Sequence, residues 1–179
     1  KIGPDESAWL DQTRERYELE KLDFAGMLIR MDIIPPSLAL AQGAEESGWG
    51  TSRFAREGNA LFGQRIFKGT RGIVPKKRDR GQKHRVRAFV HLIDGVKAYA
   101  DNLNTHPAYR LMRATRAKMR AAGKVIDGMA LASTLVKYSE RREKYVKTIK
   151  IIIRANSFHL YDKARLGDRL TVIASGSGI

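Results

Sequence analysis

The run Glu45-Glu46-Ser47-Gly48-Trp49-Gly50 carries the sharpest chemical signal in the chain. It follows Leu38-Ala39-Leu40-Ala41, small and apolar residues that suit a buried helix. Gly48 and Gly50 mark where that helix stops, because glycine takes the left-handed conformation cheaply. A carboxyl in the last turn of such a helix is pushed toward its neutral form twice over. Desolvation disfavours the anion, and the helix C-terminus carries partial negative charge. A carboxyl that keeps its proton near neutral pH is what a general acid needs to protonate a glycosidic oxygen. Trp49 beside it would offer an apolar wall or a platform for a sugar face. Residue types alone leave a plainer alternative open, in which Glu45 and Glu46 are solvated residues ahead of a glycine stop.

Other chemistries find less support. The chain has no cysteine, which excludes thiol nucleophiles, disulfides and thiolate metal sites. His84, His91, His106 and His159 show no paired-ligand spacing, and there is no phosphate-binding loop or dinucleotide fingerprint. No metal and no cofactor is therefore expected. A Ser-His-acid triad cannot be argued from order along a chain, because its members are recognised by geometry.

The charge points to the kind of partner. Lys plus Arg is 34 against 19 acids, a net charge of +15 with a pI near 10.3. Such an excess implies a polyanion: nucleic acid, or a wall polymer with stem-peptide and lactyl-linked carboxylates and the anionic envelope polymers around it. Nucleic acid is disfavoured. The basic run Lys76-Lys77-Arg78-Asp79-Arg80 has no interleaved aromatics on which bases would stack. The longest apolar run, Ile149 to Ile153, is broken by Lys150, far short of the roughly 20 residues a membrane span requires. Lys1-Ile2-Gly3-Pro4-Asp5 shows no apolar leader.

The elements that must hold these residues read as mainly helical. Asp5 to about Met31 has an apolar helical face from Trp9, Leu10, Tyr17, Leu22, Phe24, Leu28 and Ile29, with a break around Leu22–Gly26. Pro35-Pro36 ends that region, and Ser37 opens the helix that runs to Ser47. From Thr51 to Phe89 the helical signal lapses into a glycine-punctuated loop. Within it, residues 72–75 and 84–89 read as a β-hairpin. Asp94 caps a helix through about Asn104, Pro107 opens another to about Ala121, and Asp127 to Tyr138 forms a further one. Ser139 caps the last helix, where Tyr145, Ile149, Ile152 and Ile153 fall on one stripe. One α-rich domain over residues 1–165 and a C-terminal tail over 166–179 account for the length. By residue type alone, Trp49 and Phe62 are equally well core aromatics, and Tyr138 and Tyr145 suit packing at a helix junction.

Several ordered motifs resemble the bacterial glucosaminidase family, and within it the Bax-like branch. They are Pro35-Pro36-Ser37-Leu38-Ala39-Leu40-Ala41-Gln42, Glu46-Ser47-Gly48-Trp49-Gly50-Thr51-Ser52-Arg53-Phe54-Ala55, and Gly58-Asn59-Ala60-Leu61-Phe62-Gly63. Further on come Asn102-Leu103-Asn104-Thr105-His106-Pro107-Ala108-Tyr109 and Tyr138-Ser139-Glu140-Arg141 with Tyr145-Val146. The resemblance runs from about Asp23 to Asn156. It is also the family of autolysins and of the peptidoglycan-cleaving domain of the flagellar rod-cap protein.

The resemblance implies an α+β lysozyme-like fold with a hairpin lobe beside a glycan cleft, and endo-β-N-acetylglucosaminidase activity on peptidoglycan in the periplasm or cell envelope. It makes Glu46 the catalytic acid and places Tyr138 near the scissile sugar. It puts Trp49, Asn59, Phe62, Gly63 and Tyr145 along the substrate. Family members often carry a second acid on the hairpin after the Phe-Gly motif, where the Bax-like branch has one at the position of Arg85. Between Arg65 and Arg87 this chain has only Asp79 among ten Lys and Arg. Asp79 is thus the possible second acid, and a scheme with one essential carboxyl is favoured. Muramidase or lytic transglycosylase chemistry, or a non-catalytic glycan or nucleic-acid binding module, are the alternatives.

Overall fold

A computed structural model describes residues 2–67, 71–76, 81 and 83–164. Asp79 and the tail over 166–179 lie outside them. The described chain is mainly helical with a small antiparallel sheet, the α+β class expected from the sequence.

The first region divides into α1 (Pro4–Arg16) and α2 (Phe24–Arg30), with the break over residues 17–23. Arg30 donates to the carbonyls of Tyr17 (2.6 Å) and Glu18 (3.3 Å), tying the second helix to the turn that ends the first. The apolar face read from the sequence does not enter the core. Trp9, Phe24 and Leu28 are 54%, 54% and 75% exposed, while Thr13 and Met27 turn inward.

The centre of the molecule is α3 (Pro36–Ser47), packed against α7 (Gly128–Ala132), α8 (Glu143–Ala155) and the 3-10 turn Phe158–Lys163. Leu38 and Ala41 are fully buried among Leu131, Leu135, Tyr145, Ile149 and Ile153. Each fully buried large aliphatic contributes roughly 1.5–3 kcal/mol of apolar transfer. The stripe on α8 packs as its spacing predicts, whereas Leu40 faces solvent. Ser37 does not cap α3. Pro35 is the residue before its first turn, and the side chain that satisfies the helix start is Asp162, from the 3-10 turn. Its carboxyl accepts from Ser37 N (2.9 Å), Ser37 Oγ (2.7 Å) and Gly128 N (2.9 Å), so one buried group serves the starts of α3 and α7 together.

After α3 comes α4 (Arg53–Gly58), absent from the sequence reading because glycines flank it; Ser52 caps it by accepting from Ala55 N at 3.2 Å. The sheet has three strands, β1 (Arg65–Ile66), β2 (Gly72–Ile73) and β3 (Arg85–Arg87), in the order β1-β3-β2. The expected pairing of the second with the third is present, with Gly72 opposite Arg87 and Ile73 opposite Val86. The first strand, two residues long, offers no alternation to read.

Helix α5 (Leu92–Thr105) starts three residues earlier than expected, with His91 in place of Asp94 as its cap, and Asp94 accepts from His91 N (3.3 Å) from inside its first turn. A 3-10 turn at Pro107–Tyr109 leads into α6 (Arg110–Ala121). The helix expected over Asp127–Tyr138 is only α7. Past it, Thr134 Oγ1 bonds the Leu131 carbonyl (2.6 Å) and the backbone tightens into turns through Tyr138. The last helix begins at Glu143 rather than at Ser139, whose hydroxyl accepts from Arg141 N (3.3 Å) within a turn. These two shortenings leave Tyr138–Arg142 as a connecting segment beside the end of α3.

Candidate active site

Glu46 is the penultimate residue of α3, in its last turn. Gly48 follows with φ +57°, and Trp49 N reaches the Ala44 carbonyl at 2.8 Å while Gly48 N reaches that of Glu45 at 3.4 Å. This paired closure turns the chain sharply away and leaves the Glu46 side chain facing a cavity of about 510 Å³. Ser47 reinforces the turn by donating to the Gly43 carbonyl (2.5 Å) and accepting from Gly50 N (2.7 Å).

The Glu46 carboxyl is held above the ordinary carboxylate range. Burial is the main cause and the adjacent Glu45 adds to it, against the Tyr145 hydroxyl and the Arg141 guanidinium. The two neighbouring acids are used differently, since Glu45 ion-pairs with Arg141 at the surface while Glu46 turns inward.

A chain of hydrogen bonds fixes the donor on Glu46. Gln42, one turn earlier on α3 and fully buried, accepts from the Tyr99 hydroxyl (2.7 Å) and donates to the Tyr145 oxygen (2.9 Å). With its oxygen already accepting, Tyr145 has its own proton to offer, and the Glu46 carboxyl is its partner. Burial holds the Tyr99, Tyr109, Tyr138 and Tyr145 phenols above their ordinary pKa values, so they stay protonated as donors.

Aromatic faces build the wall. Tyr138 stacks on Tyr145 (centroids 5.4 Å apart, 11° between planes) and contacts Tyr109 at 5.8 Å. Phe62 stacks on Tyr99 at 3.8 Å. Phe62, Tyr109 and Tyr138 line the cavity with Gly63, Gln64, Arg65, Asn102 and the segment Ser139–Arg141. Gly63 has φ +58°, and a Cβ added there would lie 3.7 Å from Glu46 Oε2, so the chain passes close to the carboxyl with no side chain in the way.

The residues singled out from sequence separate accordingly. Glu46, Phe62, Gly63 and Tyr138 meet in the cavity, and Tyr145 stands directly behind it. Trp49, at φ +58° and 59% exposed, is outside the lining, so it is neither a core aromatic nor a wall beside Glu46. Asn59 closes α4 at φ +51°, and its amide donates to the carbonyls of Phe89 (3.2 Å) and Val90 (3.0 Å). It thereby positions the Phe62-Gly63 segment without reaching the cavity. Gln42, Asn102, Tyr109 and Arg141 stand in the sequence motifs without an assigned role, and Tyr99 lies outside them. A lone Gln one turn before the acid, on an otherwise small and apolar helix, was the available signal for the first of them. Among the described residues, Glu140 is the other acid lining the cavity, with a side chain 91% exposed and 3.7 Å from Arg65. No three His, Asp or Glu among the described residues gather where they would hold a metal ion.

The family model described as mannosyl-glycoprotein endo-beta-N-acetylglucosaminidase, of the glucosaminidase family, matches residues 23–158. The chain belongs to the glucosaminidase family. The match covers every cavity residue and ends at Phe158, the first residue of the turn that carries Asp162. The Bax protein of Escherichia coli (strain K12) is 36% identical over 149 residues, which is 80% of this chain and 53% of that protein. The chain thus spans about half the length of that relative. No solved structure matches it. Membership of a family of glycan hydrolases agrees with the site, where a carboxyl whose pKa is raised by burial faces a cavity walled by aromatic rings. No described helix is long and apolar enough to cross a membrane.

Proposed function

We propose that the chain is a peptidoglycan hydrolase of the cell envelope, an endo-β-N-acetylglucosaminidase with Glu46 as its general acid. The observation that carries the reading is the Glu46 carboxyl itself, raised in pKa by burial at the end of α3 and open to the aromatic cavity. A glycan strand lying across Tyr138 and Phe62 presents its glycosidic oxygen to that carboxyl. Glu46 gives up its proton as the bond to the anomeric carbon breaks. The acetamido oxygen of the same sugar attacks that carbon, or a water held near Tyr138 does so. If the acetamido group attacks, water then opens the cyclic intermediate and returns a proton to Glu46; if water attacks directly, the proton it sheds goes to solvent and Glu46 regains one from solvent. One essential carboxyl suffices for this cycle.

The positive charge of the chain suits an anionic wall polymer, and the envelope is where such a polymer lies. Mass spectrometry of purified peptidoglycan after digestion tests the bond. Fragments ending in reducing N-acetylglucosamine support the reading. Muramic ends would show a muramidase, anhydro-muramic ends a transglycosylase, and an undigested wall a glycan binder.

A further inference from the structure

A second cavity, of about 600 Å³, adjoins the first and shares Gln64, Arg65 and Asn102 with it. Its lining is of a different kind. It contains no Tyr, Trp or Phe ring on which a sugar face would stack, and it is built from charged side chains of both signs. Arg65 and Arg87 come from the sheet, Lys97 and Asp101 from α5, and Arg16 and Glu18 from the end of the first helix. Arg16 is committed to Asp101 at 3.0 Å, and Arg65 faces Glu140 at 3.7 Å. Arg87 and Lys97 have no carboxylate partner among the described residues; the Arg87 guanidinium lies over the Phe89 ring at 4.9 Å. The Glu18 carboxyl forms no close ion pair among the described residues, and the cation it acts on is Arg113.

We infer that this second cavity binds the peptide branch of the glycan, with Arg87 and Lys97 taking its carboxylates and Glu18 an ammonium group where the branch carries one. The inference rests on the proposed wall-glycan substrate. Backbone sugars whose lactyl carboxyl is tied up in the amide to the peptide are uncharged rings and match the aromatic cavity. A peptide attached through the lactyl group carries free carboxylates, and it is tethered close enough to enter a chamber sharing a wall with the reacting sugar. Guanidinium and ammonium groups hold carboxylates by charge-assisted hydrogen bonds, and the tether raises the effective concentration of the branch there. The cavity would thus distinguish peptide-bearing strands from bare ones without touching the bond that breaks.

Binding separates this claim from the claim of catalysis. The full chain carrying Glu46→Gln is titrated calorimetrically with soluble peptide-bearing glycan strands and with the same strands stripped of peptide by an amidase and then amidated at the freed lactyl carboxyl, so that the stripped strands carry no charge. The peptide-bearing strands are expected to bind about tenfold more tightly, the worth of one charge-assisted hydrogen bond. Adding Arg87→Glu and Lys97→Glu together should abolish that preference and leave the affinity for stripped strands unchanged. Lys118→Glu with Lys147→Glu makes the same change in net charge outside both cavities and should keep the preference. Equal affinities for the two substrates would overturn the inference. So would loss of the preference in the remote control pair, which would assign it to the overall charge of the chain. Retained peptide preference in a protein whose wild-type form cleaves neither substrate would overturn the hydrolase reading and leave the binding site standing.

Discussion

Each end of α3 meets one carboxyl, and the two ends put it to opposite use. At the start, Asp162 arrives from the far end of the chain, is buried, and accepts three hydrogen bonds from Ser37 and Gly128. At the finish, Glu46 faces an open cavity, with the Tyr145 hydroxyl as its one side-chain donor and the Glu45 charge beside it. The first carboxyl is an anchor, and the second, with its pKa raised by burial, is the group we propose as the acid. One helix thus carries a clamped carboxyl at its start and a cavity-facing carboxyl at its finish. The difference lies in how many donors each group is given and in the sign of the helix terminus that meets it.

The largest way to break this contrast is Glu46→Gln. Wall digestion is expected to fall by about 10³-fold or more, within the range for removing a general acid. Stability should not fall with it. A carboxyl whose folded pKa lies above its unfolded value loses stabilising power as pH rises between the two, because the unfolded chain releases the proton first. Gln removes that loss, so thermal melts at neutral pH should show an unchanged or higher midpoint than wild type.

Asp162→Ala attacks the other end. Leaving the donors of Ser37 and Gly128 without their acceptor should cost about 3 kcal/mol and lower activity in step with the melting midpoint. Gly128→Ala is expected to act the same way, because a Cβ there would sit 2.0 Å from Ser37 Oγ and force the clamp apart. Activity lost at Asp162 with full stability retained would contradict the anchor role.

Smaller changes sharpen the acid's setting. Tyr145→Phe removes the donor that holds the Glu46 pKa down, so the alkaline limb of the pH–activity profile should move to higher pH. It also strips a partner from buried Gln42, at a cost of about 1 kcal/mol read by denaturant titration. Glu45→Gln should move the same limb to lower pH, since it removes a neighbouring negative charge and frees Arg141. The Glu45 pair is half-exposed and screened, so its loss should change stability by less than about 1 kcal/mol. Opposite movements from these two variants would locate the titrating group between them.

The same contrast explains what could be read from the sequence. Glu46 is legible because its nearest setting is local: an apolar helix before it and a glycine stop after it. Its partner Gln42 is one turn away and leaves a trace of the same kind. Asp162 leaves none, because its donors lie 34 and 125 positions earlier and only the fold brings them together. Helix α4 and the strand at Arg65–Ile66 were missed for want of length, six and two residues being too few to show a period. The segment Tyr138–Arg142 was read as the end of one helix and the cap of the next. Its backbone instead turns around Ser139 and Thr134, which is what brings Tyr138 and Arg141 to the cavity.

The central claim is that Glu46 holds its proton above the ordinary carboxylate range while facing the substrate cavity. Carbon-detected NMR titration of the glutamate carboxyls, with Glu46→Gln to assign the resonance, measures this directly. The account requires a Glu46 midpoint above the roughly 4.3 of a free glutamate, coincident with the alkaline limb of wall digestion. A midpoint at or below that value would contradict it.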